Sequence, residues 1–472
     1  MTAQHDPLTE AILAVCDRYD DVGGPEVAPA TSYARARLTE PLRVAVVGRV
    51  KAGKSTLVNA IIGRKVAATA DVECTKVVTQ YRFGADEGAT LHLSGGRPHI
   101  RVPLQDGMLP DRLPVPVDQI SYAVVKLSSE PLRNLTLIDT PGLETTSAEL
   151  EVVSRQSILG VGGVRQADAI IYLFRGKELA DDVDFLREFR NVAGDVSSSG
   201  AIGVLSHADR YGSGPWGDDD SLVEATDRAA EMQLEHASDL AAVIPVAGRL
   251  AETAVTGVFT ESHARTLARL RGLSEFQLQA RENLDGVTIA DVRQLSMLVG
   301  EYGLRYGREI AGGGASPVID WMWEKSGVDQ LHTLMRRHYV NRIPQLKAKQ
   351  AMEQLERAAH NFSQRMPLRR MLSDARLAPA LHPLEEVRAW ELLSARPDEH
   401  ELLGLVNRLL RGNTDQERVG LPPAADAAAV RTAALSAGDV VKQHLLAGDP
   451  SVTKSAAILT RSFAAINHRN SS

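Results

Sequence analysis

The chain has 472 residues, is 44% hydrophobic, and carries 53 basic against 60 acidic side chains for a net charge of −7. This length and apolar content permit at least two compact units. The acidic balance and the lack of a basic, aromatic surface speak against a nucleic-acid partner. The first residues, MTAQHDPLTEAILAV, show no basic segment followed by an apolar stretch, and nowhere do about 18 apolar residues run together, so a soluble, cytoplasmic chain is expected. Cys16 and Cys74 are the only cysteines. They are too few for a disulfide framework or a structural zinc site and read as small buried hydrophobes.

In chain order, Leu8, Ile12, Cys16 and Tyr19 recur at helical spacing, and a turn over Asp21 to Pro25 separates that helix from a second ending near Leu38. From Leu42 the texture changes to short apolar runs bounded by Gly, Asp and Ser: LRVAVVG, KVVTQYRF, LTLIDT, DAIIYLF, AIGVLS and AVIPV. Helical stretches such as Lys54 to Ile62 and Asp182 to Arg190 lie between them. That alternation predicts an α/β domain with a doubly wound, mostly parallel sheet. Gly84 to Asp118, rich in Gly, Pro and Asp, reads as an elaboration between the second and third strands.

After Ala251 strand signals stop. Leu331, Met335, Tyr339, Ile343, Leu346, Leu355 and Phe362 share one helical face, with Pro344 dividing or kinking it. Helices are also expected near 384–411 and 425–446. A last helix carries Val452, Ala456, Leu459, Phe463 and Ile466, with Ser451 as its expected N-cap. Residues 1–40, 41–255 and 256–472 are therefore read as lead-in helices, a nucleotide domain, and an elongated helical bundle that both chain ends build.

Gly48-Arg49-Val50-Lys51-Ala52-Gly53-Lys54-Ser55 fits G-x-x-x-x-G-K-[ST] between an apolar strand and the helix STLVNAII. Backbone N–H groups from Lys51 to Thr56 and a helix N-terminus would cradle phosphates there. Gly48 and Gly53 permit close approach, Lys54 reaches the β and γ phosphates, and the Ser55 hydroxyl ligates Mg2+. Asp139-Thr140-Pro141-Gly142 closes the strand LTLI, placing a carboxylate for a metal-bound water and the Gly142 N–H for the γ phosphate. Between the two motifs, Thr75 in DVECTKVV would give Mg2+ a hydroxyl, with Thr79 as a competing choice.

Guanine selectivity needs a carboxylate acceptor after the fifth strand, normally in [NT]-K-x-D. Here Ser206-His207-Ala208-Asp209 occupies that place. Asp209 keeps the acceptor, and the His207 imidazole stands where a lysine stem usually covers the base. Ala247 and Gly248, following AVIPV, would supply a backbone contact to the base O6.

With four nucleotide elements in order, flanking helices and a following bundle, the chain resembles the bacterial dynamin-like proteins. The stretches LRVAVVGRVKAGKSTLVNAIIG, VECTKVVTQYRFG, LTLIDTPG, IGVLSHADRYG and EKSGVDQLHTLMRRHYVNRIPQLKAKQAMEQL are similar to the isoniazid-inducible dynamin-like GTPases of actinobacteria. The resemblance implies a GTPase head, a neck built from both chain ends, and a helical trunk whose tip touches lipid. It also implies GTP and GDP as ligands, and self-association through the heads or pairing with a related dynamin-like partner. Arg365, Arg369, Arg370, Met366 and Met371 would form an anionic-headgroup contact at a turn near the trunk tip. A solvated charged turn is the alternative there. Trp321, Met322 and Trp323 are a second candidate lipid contact, although such residues are more often core.

Leu143 stands where many small GTPases carry a water-orienting glutamine. The Thr75 backbone would then position water. Lys51 occupies the slot that in dynamins looks like the side-chain ligand of a catalytic monovalent ion, and its ammonium would replace that ion. The alternative for Lys51 is an ordinary solvated loop residue. The leading functional expectation is a GTP-hydrolysing, Mg2+-using, dynamin-like enzyme acting at the inner face of the membrane. The others are a soluble regulatory GTPase of the Era type and a low-turnover GTP-binding scaffold.

Overall fold

The computed structural model describes residues 6–68, 76–141, 158, 166–176, 180–192, 200–237, 239–282, 284, 286–394, 396, 398–412, 414–446 and 448–471, without the side chains of 191, 192 and 411. Helices α1 (Pro7–Gly23) and α2 (Ala28–Thr39) lead into β1 (Leu42–Gly48), which α3 (Lys54–Ile62) follows. Asp6 caps α1, its carboxylate accepting from the N–H groups of Leu8 and Thr9.

The described strands form one sheet in the order β4-β3-β5-β2-β6-β1-β7-β8-β9. The remaining strands are β2 (Thr79–Phe83), β3 (Gly88–Leu93), β4 (Ile100–Val102), β5 (Ile120–Leu127), β6 (Leu135–Asp139), β7 (Ala169–Arg175), β8 (Ala201–Ser206) and β9 (Ala242–Val246). From β6 to β9 every pairing is parallel, as expected of a doubly wound sheet. On the other side β2 runs antiparallel to β6 and parallel to β5, and β3 is antiparallel to both β5 and β4. The Gly84–Asp118 elaboration is thus a sheet extension. Its two strands are short and set among turn residues, so no periodicity marks them, and β5 beyond it was not among the expected strands either.

Alternate residues of the strands enter opposite cores. Val44 and Val46 of β1 join Leu57 and Ile61 of α3 on one face. Ala45 and Val47 face Phe185 and Phe189 of α4 (Ala180–Val192) and Ala225 and Ala229 of α5 (Ser221–Glu235) on the other. Beyond the sheet, α6 (Gly248–Thr256), α7 (Glu261–Arg269), α8 (Glu275–Ala280), α9 (Ile289–Ile310) and α10 (Ala315–Lys325) share a separate core. Met322 is buried in that core and Trp321 packs against it, while Trp323 packs against the sheet's core. That is the structural role weighed for these residues above.

The long apolar face from Val328 is divided at Pro344, as its sequence requires. Helix α11 (Val328–His338) ends in a short 3-10 turn, and α12 (Ile343–Ala359) begins with Pro344 in its first turn. The two halves serve different cores. Val328, Leu331, Met335 and Tyr339 pack on the sheet, and Tyr339 donates to Ile170 O at 2.6 Å. At about 1.5–3 kcal/mol for each such buried side chain, these contacts keep α11 on the nucleotide domain. Ala348, Ala351, Met352 and Leu355 instead pack on α1 and α2. Arg37 of α2 forms a buried ion pair with Asp168, whose other oxygen accepts from Arg43 N at 2.7 Å. The N-terminal helices are thereby tied to the sheet. Burial pushes the Cys16 thiol between α1 and its neighbours up to about 11, consistent with an inert core residue. Cys74 lies outside the described residues.

Helix α13 (Arg365–Arg376) replaces the turn expected near Arg365 to His382. Leu368, Met371, Leu372 and Ala375 are buried against α1 and α12, so Met371 is a core residue and not a lipid contact. Arg365, Met366, Arg369 and Arg370 are exposed. Helices α14 (His382–Ser394), α15 (His400–Arg411), α16 (Asp415–Arg418), α17 (Ala427–Gln443) and α18 (Pro450–Arg469) follow, and all but α16 contribute to a last core. The cap of α18 is Asp449, accepting from Ser451 N at 2.7 Å and Val452 N at 3.2 Å, and not Ser451. Pro450 supplies the first turn, which moves the cap one residue before it.

Candidate functional site: a phosphate and purine pocket

At the end of β1 the backbone runs against β7. A Cβ on Gly48 would stand 2.8 Å from Leu173 O, so only glycine lets the loop leave the strand there. Lys51 (φ 63) and Gly53 (φ 89) then turn the chain through left-handed conformations into α3. The Lys51 carbonyl accepts from His207 Nε2 at 3.1 Å, which ties this turn to the end of β8. Arg49 reaches outward, its Nε 3.0 Å from Asp182 Oδ1 at the start of α4. The Lys51 side chain is exposed.

Lys54 is 9% exposed, and its ammonium donates to the loop's own carbonyls, Gly48 O at 3.1 Å and Arg49 O at 2.9 Å. Burial lowers its pKa, and the nearby Asp139 carboxylate opposes that shift. A cation curled over a rim of backbone dipoles is set for polyanionic oxygens.

Asp139 ends β6 beside the loop, and Ser55 Oγ donates to its Oδ2 at 3.2 Å. Its Oδ1 is buried without a hydrogen-bond partner. Burial raises the Asp139 pKa to about 6, against the lowering influence of Lys54 and the Ser55 hydroxyl. A buried carboxylate oxygen with no partner, next to a hydroxyl and short of compensating charge, fits a hard divalent cation such as Mg2+. Ser55 and Asp139 would hold it. Thr79 sits opposite Asp139 across the β2–β6 pair, and its hydroxyl bonds Val77 O at 3.2 Å. Thr75 and Gly142 lie outside the described residues, as does Leu143.

From the loop a cavity of about 340 Å3 extends past Ala52, Gly53 and Thr56 to His207, Asp209 and Gly248. His207 adopts φ 55 and places its ring against the loop, with Nε2 3.8 Å from where a Gly53 Cβ would be. Burial lowers its pKa, and its Nε2 donates to Lys51 O. The imidazole thus joins the phosphate loop to the base end. Asp209 is 4% exposed and lines the cavity. The expected Ala247 contact is corrected: its N–H donates to Ser326 O at 3.0 Å. Gly248, the first residue of α6, lines the cavity instead, with a first-turn N–H that has no intrahelical acceptor.

Several residues in or behind the pocket wall escaped the sequence reading. Asn59 is fully buried on α3. Its Oδ1 accepts from Val66 N and Ala67 N at 2.8 and 2.7 Å, and its Nδ2 donates to Glu252 Oε1 at 2.6 Å on the cavity wall. A lone amide inside the apolar run LVNAII was the available signal. Arg249 and Met297 also line the cavity. Nothing local marks Met297, because it reaches the site only through the packing of α9.

Residues 44–207 match the model of the dynamin family. The chain is 30% identical over 430 residues to the isoniazid-induced protein IniC of Mycobacterium tuberculosis, covering 85% of each. It is 28% identical over 149 residues to the bacterial dynamin-like protein of Nostoc punctiforme, covering 29% of this chain and 20% of that one. It is 34% identical over 127 residues to the isoniazid-induced protein IniA of Mycobacterium tuberculosis, covering 23% of this chain and 18% of that one. With the glycine-rich loop and Asp139 in place on a doubly wound sheet, the chain belongs to the dynamin family of GTPases, in its bacterial dynamin-like branch.

Proposed function

We propose that this protein hydrolyses GTP with Mg2+, pairs through its nucleotide domains when loaded, and acts peripherally on an anionic membrane face. The observation that carries the hydrolytic reading is the buried, partly unsatisfied Asp139 beside Ser55 and Lys54. Mg2+ bound there would neutralise charge on the β and γ phosphate oxygens. Lys54 would exchange its two loop carbonyls for phosphate oxygens. Asp209 would accept from the N1 and N2 donors of guanine, and Gly248 N–H would donate to O6. Thr75 would complete the metal ligands and hold the attacking water through its backbone, with Gly142 N–H on the γ phosphate. Lys51, exposed at the loop's left-handed turn, would reach the bridging oxygen once a second nucleotide domain excludes water.

For the membrane, α13 presents Arg365, Arg369 and Arg370 with Met366 on its exposed side, and Leu377 is exposed just past its end. Cationic and apolar side chains together suit anionic headgroups. No described helix is long and apolar enough to cross a bilayer. Pairing with a related dynamin-like chain would add further membrane affinity. The test measures phosphate release from GTP with and without anionic liposomes, alongside vesicle sedimentation. Turnover that rises on vesicles supports the whole reading. Turnover indifferent to vesicles favours a soluble regulatory GTPase, and binding without turnover a scaffold.

A further inference from the structure

The cavity's base end is finished by a segment far from any nucleotide motif. Helix α9 is broken at Gly300, which has φ 68 and ψ 179. A Cβ built there would stand 3.3 Å from Asp209 Oδ2 and 3.8 Å from Arg249 Cδ, in a conformation that L side chains rarely adopt. Breaking a helix frees backbone carbonyls, and here α6 collects them. Arg249 Nη1 donates to Ser296 O at 2.9 Å, and Thr253 Oγ1 donates to Leu298 O at 2.6 Å. On the other side, Ser296 Oγ donates to Glu301 Oε1 at 2.7 Å, and Glu301 pairs with Arg281 at 2.6 Å. Leu295, Val299, Tyr302 and Leu304 are buried on both sides of the break.

The break is therefore a built feature, with the Ser296 and Leu298 carbonyls it frees bonded by α6. It has two consequences at the cavity. Asp209 can bring its carboxylate against the backbone of α9 where a side chain would crowd it. Met297 stands at the cavity rim with 69% of its surface exposed, although its neighbours Leu295 and Val299 are buried.

We infer that α9 is the base-specificity wall of this pocket, with Gly300 keeping Asp209 in place for the donors of guanine and Met297 closing over the purine face. This rests on the guanine reading above. The recognised class is a nucleotide whose six-membered ring offers adjacent N–H and amino donors. A carboxylate accepts both, and a polarizable thioether suits the flat ring. Gly300 and Met297 are positioning and specificity residues.

The experiment titrates the full-length chain and its variants with fluorescent GDP, then competes with GDP, IDP and ADP. IDP lacks the 2-amino group. Wild type should prefer GDP to IDP. Gly300→Ala should weaken GDP by about 10-fold or more and bring the GDP:IDP ratio toward one, because the displaced carboxylate loses the 2-amino donor. Met297→Ala should weaken GDP and IDP alike, by roughly 3- to 10-fold, with the ratio kept. Should Gly300→Ala fail to fold, the rim substitution Met297→Ala decides. Wild-type affinity in Met297→Ala, or a wild type that treats GDP and IDP alike, overturns the inference. Failure of the wild type to bind GDP, or preference for ADP, defeats the guanine reading itself.

Discussion

The two parts of the proposed nucleotide site are built in different ways. The proposed phosphate end is one contiguous loop, Gly48 to Ser55, plus Asp139 one strand away in the sheet. The proposed base end is the cavity assembled from the ends of β8 and β9, the start of α6 and the broken α9. Phosphate recognition uses backbone N–H groups and a helix terminus, which a short run of residues can arrange by itself. Base recognition needs side chains around a flat ring, and these converge only after the domain has packed. Substitutions at the phosphate end should therefore abolish binding outright, whereas those at the base end should redirect or loosen it.

The largest expected effect tests the contiguous end. Lys54→Ala and Ser55→Asn should each weaken Mg2+-GTP binding by at least about 100-fold in calorimetric titration, by removing the phosphate cation or the metal's hydroxyl ligand. Wild-type affinity in either variant would refute the phosphate site.

Next comes Lys51, whose backbone belongs to the same loop but whose side chain is exposed at the loop's left-handed turn. Lys51→Ala should slow turnover by roughly 10- to 1000-fold, corresponding to about 1.4 to 4 kcal/mol of transition-state stabilisation. GTP affinity should change far less, and wild-type hydrolysis should not distinguish K+ from Na+. Normal turnover in the variant, or a wild type inactive without K+, would eliminate this role.

The base end is sharpened by Asp209→Asn, which should shift preference from GTP toward XTP by roughly 10-fold or more, since an amide matches xanthine's donor and acceptor edge. An unchanged preference would mean that Asp209 does not read the base.

The smallest expected effect concerns stability without ligand. Asp139 is raised to about 6 by burial, so the folded chain takes up its proton more readily than the unfolded chain does. Stability of the apo protein should fall as pH rises from about 4 to about 6 through this group, and the deficit should persist above. Asp139→Asn should then make the apo chain about 1 to 3 kcal/mol more stable in urea melts at pH 7.5, with the difference vanishing near pH 4. Mg2+-GTP should stabilise wild type more than the variant. An apo variant no more stable than wild type at pH 7.5 would contradict the unsatisfied carboxylate.

The parallel core strands, α3, the division at Pro344 and the phosphate loop were legible because each depends on neighbours in sequence. The extension from β3 to β5 was not, since short strands among Gly and Pro acquire their partners only across the sheet. Ser451 was misread as a cap because Asp449 and Pro450 compete for the same helix start. Met371 was read as surface because a helix hides its apolar face only when α1 is there to cover it.

By itself, then, the sequence determined that a glycine-rich strand-to-helix loop and a strand-end carboxylate exist on a doubly wound sheet, because strand period, helix start and loop chemistry are local. Tertiary structure decided what surrounds the cavity beyond the loop. It turned the Ala247 N–H toward Ser326, left Gly248 on the cavity, and brought Gly300 from a distant helix against Asp209 and Met297 from the same helix to the cavity rim. Those placements follow from how α6 and α9 share one core, a balance of many buried contacts that no single segment encodes.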